Sequence, residues 1–109
     1  MTIDIRERIG LSDEALAGFC RKWRIARLEV FGSALRDDFD PDKSDLDLLV
    51  TFAPEATWTL FDLIHMEDEF AGAVGRRVDM PQRSEIEQSE NYIRRKRILS
   101  SARLVYEAA

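Results

Sequence analysis

Leu16, Phe19, Cys20 and Trp23 recur at helical spacing behind Ser12-Asp13-Glu14. A hydroxyl cap followed by acids suits a helix N-terminus, so the pattern predicts a helix over 13–23. Leu28, Val30 and Phe31 predict a short strand that runs straight into Gly32-Ser33, followed by one helical turn around Ala34-Leu35-Arg36. Residues 37–44 hold four aspartates, a proline and a lysine, and read as a polar loop. From 45 to 52 successive side chains fall on alternate faces of a strand, with Leu46, Leu48, Val50 and Phe52 on one and Asp45 and Asp47 on the other. Pro54 closes that strand, and Thr57 is placed to cap a long helix with Leu60, Leu63, Met66, Phe70 and Val74 on its buried face. Gly75 suits its C-terminus. Arg76 to Met80 predicts a third strand stopped by Pro81, and a helix over about 90–100 leads to the apolar tail Leu104-Val105-Tyr106. The predicted order is α-β-α-β-α-β-α-β, an α/β chain in which helices pack on one sheet.

Composition narrows the class. A chain of 109 residues is expected to form one domain over 1–109. Its 45% hydrophobic and 34% charged residues fit an ordinary globule, and no apolar run is long enough to cross a bilayer. The charged start, Thr2-Ile3-Asp4-Ile5-Arg6-Glu7-Arg8, lacks the apolar core of a secretory signal, so a cytoplasmic location is expected. The lone Cys20 lies on the apolar helix face and reads as core filler. A formal net charge of −5 argues against a nucleic-acid backbone as a direct partner, while a mononucleotide carrying its own metal stays compatible. Positive charge is local: Arg76-Arg77, and the run Arg94-Arg95-Lys96-Arg97, which reads either as a solvated helix face or as a partner-docking surface.

Against that background Asp45 and Asp47 stand out. Two like charges one residue apart on one strand face repel unless a cation sits between them, and a hard divalent ion such as magnesium is the usual solution. Gly32 permits close approach of backbone to a ligand, and Ser33 adds a hydroxyl beside backbone N–H groups, a corner suited to phosphate. The Gly-Lys-Ser/Thr ending of a P-loop is absent. Nucleotidyl transfer needs a held triphosphate and two metals about 3.5–4 Å apart on shared carboxylates. Asp45 and Asp47 are candidate ligands, and Asp79, between Val78 and Met80, is the candidate third carboxylate and proton acceptor. Asp38, Asp40 and Asp42 match the first three ligand positions of a calcium-binding EF-hand loop, but Lys43 stands where its glycine belongs and Leu49 where its glutamate belongs, which excludes that reading. His65, inside the long helix with no second histidine in the chain, reads as a surface or half-buried residue. Trp23 and Trp58 read as packing residues, with a partner interface open for Trp58, and Tyr92 and Tyr106 as core or interface.

The segments Val30-Phe31-Gly32-Ser33-Ala34-Leu35-Arg36, Ser44-Asp45-Leu46-Asp47-Leu48-Leu49-Val50, Val78-Asp79 and the C-terminal Asn91-Tyr92-Ile93-Arg94-Arg95-Lys96-Arg97-Ile98-Leu99 with Val105-Tyr106-Glu107-Ala108 together resemble the minimal nucleotidyltransferases (MNT), relatives of DNA polymerase beta. The resemblance covers nearly the whole chain. It implies a mixed β-sheet flanked by helices and magnesium-dependent transfer of AMP from ATP to a protein acceptor. MNT proteins are commonly antitoxins that silence a HEPN-domain toxin by modifying a toxin tyrosine. On that pattern Gly32 and Ser33 would hold the triphosphate, Arg36 would approach a phosphate, Asp45 and Asp47 would bind the metals, and Asp79 would serve the acceptor side. Eleven residues, 34–44, separate Ser33 from Asp45 where the family usually has ten, and Asp37 replaces a glycine often found there. A loop insertion of this kind is cheap thermodynamically. Two alternatives accompany the transferase reading: an antitoxin that neutralises its partner by binding alone, and nucleotidyl transfer to a small molecule.

Overall fold

Ser12 opens the first long helix as expected, its side-chain oxygen accepting the Ala15 N–H at 3.1 Å. The computed structural model describes residues 5–40 and 43–109; Asp42 of the polar loop lies outside them. A short α1 (Ile5–Ile9) precedes α2 (Asp13–Lys22). Five residues are too few to show a helical period, and α1 was not visible in the pattern. Strand β1 (Ile25–Phe31) ends in a 3-10 turn over Gly32–Leu35, the loop follows, and β2 spans Leu46–Phe52. Helix α3 (Leu60–Val74) is capped by Thr59 rather than Thr57. Thr59 and Asp62 form a reciprocal capping box, with bonds of 3.2 and 2.9 Å between side chain and backbone; Thr57 has Leu60 three residues on and cannot form one. Gly75 ends α3 in the left-handed conformation at φ 73°, as its place in the sequence suggests.

The third strand is shorter than predicted. β3 is only Val78–Asp79, and it is followed by a second unanticipated helix, α4 (Arg83–Glu87), then α5 (Tyr92–Ser101) and β4 (Arg103–Glu107). The sheet order is β3-β2-β1-β4, with β1 antiparallel to both β2 and β4 and β2 parallel to β3. This is the mixed sheet flanked by helices that the resemblance implied.

Both faces of the sheet are covered. On one, Leu28, Val30, Leu46, Leu48 and Val50 are buried in one cluster with Leu16, Phe19 and Cys20 of α2 and Met66 and Phe70 of α3. The Phe19 and Phe70 rings meet edge to face at 4.9 Å, and Trp58 packs on Trp23 and donates its indole N–H to the Trp23 carbonyl at 2.8 Å. On the other face Phe31 and Leu49 pack beneath Ile86 of α4 and Ile98 of α5. Leu60, expected in the core, is 72% exposed because it is the first residue of α3, ahead of the turn that reaches the sheet. His65 is exposed, as expected, and so is Tyr92, whereas Tyr106 packs against the core.

Candidate active site

The carboxylates meet where strands end. Asp47 lies opposite Phe31 in the β1–β2 register and beside Asp79 in the parallel β2–β3 register, so neighbouring strands present two carboxylates on one sheet face. Asp45 precedes β2 by one residue, is exposed, and lies close enough for its charge to act on Asp47. Gly32 sits at φ 71°, a conformation L side chains rarely adopt, and a Cβ there would lie 2.5 Å from Oδ2 of Asp47. Glycine is therefore required twice, by its backbone angle and by the closeness of the carboxylate.

Ser33 turns inward. Its hydroxyl donates to the Asp45 carbonyl at 2.7 Å and its backbone N–H donates to the Asp47 carboxylate. The longer loop before Asp45 thus closes onto the Gly-Ser corner without losing contact with it. Inside the loop, Ser44 caps Asp40, accepting the Asp40 N–H at 3.1 Å and returning its own N–H to the Asp40 carbonyl at 2.8 Å. Arg36 is exposed and reaches Asp38 at 3.5 Å, while still acting on Asp47 through its charge. Asp37 is exposed.

Partial burial raises the Asp47 carboxyl above its ordinary value, and the negative charges of Asp79 and then Asp45 raise it further, against the opposing Ser33 N–H and Arg36 charge. A divalent cation would relieve this surplus of negative charge. Among the described residues no three His, Cys, Asp or Glu side chains close into a metal cage made by protein alone. Magnesium does not need one, since it commonly takes one or two carboxylates and completes its shell with waters and phosphate oxygens. The donor set fits a hard cation delivered with a phosphate ligand. Behind β3, Glu67 of α3 accepts the Met80 N–H at 3.2 Å, which ties the two-residue strand and Asp79 to the helix.

An open cleft of about 580 Å³ joins these parts to the C-terminal helix. Gly32, Asp47 and Asp79 line it from the sheet, and Asn91, Arg94 and Arg97 line it from α5. The basic run therefore divides by helical phase: Arg94 and Arg97, three residues apart, share the cleft face, whereas Arg95 lies over the Tyr92 ring at 5.4 Å and donates to the Ser89 carbonyl at 2.8 Å. Sequence reasoning missed this division. A second missed feature supports the helical cover: Glu29 on β1, 5% exposed, accepts from Arg83 of α4 at 2.8 Å on each carboxylate oxygen.

A mixed sheet that carries paired aspartates beside a glycine corner, facing a cleft of nucleotide size, defines a phosphate-handling enzyme of the nucleotidyl-transfer type. The family model described as a nucleotidyltransferase domain matches residues 12–105, and the chain belongs to that family. It is a nucleotidyltransferase. Among solved structures, one described as a minimal nucleotidyltransferase is 30% identical, with a TM-score of 0.58 over 90% of this chain and 89% of that one. A toxin–antitoxin structure with AMP-PNP gives a TM-score of 0.65 at 15% identity, over 90% of this chain and 75% of that chain. The toxin–antitoxin MntA–HepT gives 0.57 at 13% identity, over 88% and 70%. These last two are likenesses of fold. No curated protein matches the chain by sequence.

Proposed function

We propose that this chain, acting as one catalytic domain over 1–109, transfers AMP from ATP to a tyrosine hydroxyl of a HEPN-domain toxin and thereby serves as its antitoxin. The observation that carries the reading is Asp47 beside Asp79 on adjacent strands, with the Asp47 carboxylate packed against the Gly32 backbone where no side chain would fit. The fold shared with a toxin–antitoxin structure holding AMP-PNP supports the nucleotide, and the fold shared with MntA–HepT supports a protein partner.

Asp45 and Asp47 would hold the magnesium ions with Asp79 on the acceptor side, and waters and phosphate oxygens would fill the rest of the coordination shell. When bound, the metals neutralise charge on the phosphate oxygens and favour ionisation of the attacking hydroxyl. Gly32 and Ser33 form the corner at the phosphates, Gly32 by admitting the Asp47 carboxylate beside its backbone and Ser33 by holding Asp45 and Asp47 in place. The tyrosine oxygen forms a bond to the α-phosphorus while the bond from that phosphorus to the oxygen bridging to the β-phosphate breaks. Pyrophosphate leaves with the electron pair, and the phenolic proton passes to Asp79. Arg36, one turn from the corner, contributes positive charge near the phosphates.

ATP labelled at the α-phosphate, incubated with magnesium and the folded toxin pair, should label the toxin, and Asp47→Asn should abolish the label without unfolding the chain. An intact, correctly folded pair that takes up no label would overturn the proposal.

A further inference from the structure

Arg94 and Arg97 are the cations of the cleft that the transferase chemistry has not used. Each lines it together with Gly32, Asp47 and Asp79. Arg83 and Arg27 are paired with Glu29 and Glu107, and Arg95 is engaged by Tyr92 and Ser89. Neither Arg94 nor Arg97 forms a side-chain hydrogen bond or ion pair with another described residue. Two guanidinium groups without anionic partners, one helical turn apart in a chain of net charge −5, form a forked donor surface facing the carboxylates. Like charges at that spacing repel, and an anion between them removes the penalty.

We infer that Arg94 and Arg97 form an oligophosphate-binding wall that grips the β- and γ-phosphates, and afterwards the departing pyrophosphate, in the cleft they share with Asp47 and Asp79. This rests on the transferase reading and extends it to the C-terminal helix. The chemistry favours a phosphate chain: guanidinium forks match phosphate oxygens in pairs, and a triphosphate brings the negative charge that the aspartates alone would turn away. Gly32 lines the same cleft and lets the Asp47 carboxylate lie against its backbone, which sets that carboxylate in the cavity the two arginines share. Asn91 caps α5 by accepting the Arg94 N–H at 3.1 Å through Oδ1, so the first turn that carries Arg94 is held rigidly at the cleft.

The test is calorimetric titration of magnesium tripolyphosphate into the full chain, which reads phosphate binding without base or acceptor. Arg94→Gln and Arg97→Gln should each weaken binding roughly tenfold, and the double variant by on the order of a hundredfold. Lys96→Gln, which removes the same charge from the exposed face, is the control. Arg94→Lys with Arg97→Lys keeps the charge and loses the fork, and should bind between wild type and the double Gln variant. Unchanged thermal melting shows that the variants remain folded. Binding that falls no further in the Arg variants than in Lys96→Gln overturns the inference and leaves the transferase reading standing, as does an intact protein that transfers AMP yet binds no tripolyphosphate. Arginine-dependent binding in a protein that transfers nothing upholds the wall and overturns the transferase reading instead.

Discussion

Changing Gly32 to alanine tests the geometry of the aspartate corner more directly than removing a carboxylate does. The residue sits at φ 71°, and holding an L side chain in the left-handed region costs roughly 1–2 kcal/mol. The new Cβ would also stand 2.5 Å from Oδ2 and 3.3 Å from Cγ of Asp47, where ordinary contact begins at 3.4 Å, so the carboxylate must retreat by about 0.9 Å. Backbone strain lowers the melting temperature by roughly 5–15 °C in a domain of this size. If Asp47 holds the metal as proposed, displacing its carboxylate by about 1 Å should lower the transfer rate by on the order of a hundredfold.

A double-mutant cycle separates the two effects. In an Asp47→Ala background Oδ2 and Cγ are gone and the nearest Asp47 atom is Cβ at 3.5 Å, an ordinary contact. Gly32→Ala should therefore cost only its backbone strain there, and the cycle should show a coupling of about 0.5–1 kcal/mol in melting experiments that involve no ligand. Transfer from α-labelled ATP reads the catalytic half. If Gly32→Ala destabilises equally in both backgrounds, or keeps the wild-type transfer rate, the argument that glycine is demanded by Asp47 is wrong.

Three further outcomes follow from burial and charge. Because burial and the neighbouring Asp79 and Asp45 raise the Asp47 carboxyl above 3.8, the folded chain holds that proton more tightly than the unfolded chain, and ionisation costs stability above this range. Asp47→Asn should melt higher than wild type at neutral pH, with the gap closing as pH falls towards 3.8; a gap that widens on acidification would contradict this. Arg83→Met leaves Glu29 charged, buried and unpaired, and should cost about 2–3 kcal/mol in denaturant unfolding, a value reduced because Arg83 is 26% exposed. Adding Glu29→Gln should recover most of it, and simple additivity would refute the pair's role. Burial pushes the Cys20 thiol up to about 12, so a disulfide reagent at pH 8 should react only as the chain unfolds; stoichiometric labelling of the native protein would refute its place in the core.

What the sequence revealed divides along physical lines. Ser12, Gly75 and the alternation around Asp45 and Asp47 act within a few residues, through caps, a left-handed backbone and a strand period of two, so they were readable without the fold. The Thr59 cap was equally local, and its signal was Asp62 three residues on. Glu29 was different: at a polar position of an alternating strand it reads as solvent-facing, and only Arg83, 54 residues away, makes it a buried pair. Leu49, its register partner on that face, is buried by Ile86 and Ile98 from two later helices. The division of Arg94-Arg95-Lys96-Arg97 likewise depends on how α5 is rotated where it docks. Ile98 sets that rotation: buried against Phe31 and Leu49, it brings its neighbour Arg97, and Arg94 one turn earlier, to the cleft. Covering the second face of the sheet and walling the site are therefore one structural act. A substitution at Ile98 that rotates or releases α5 should weaken stability and phosphate binding together, whereas substitution at either arginine should touch binding alone.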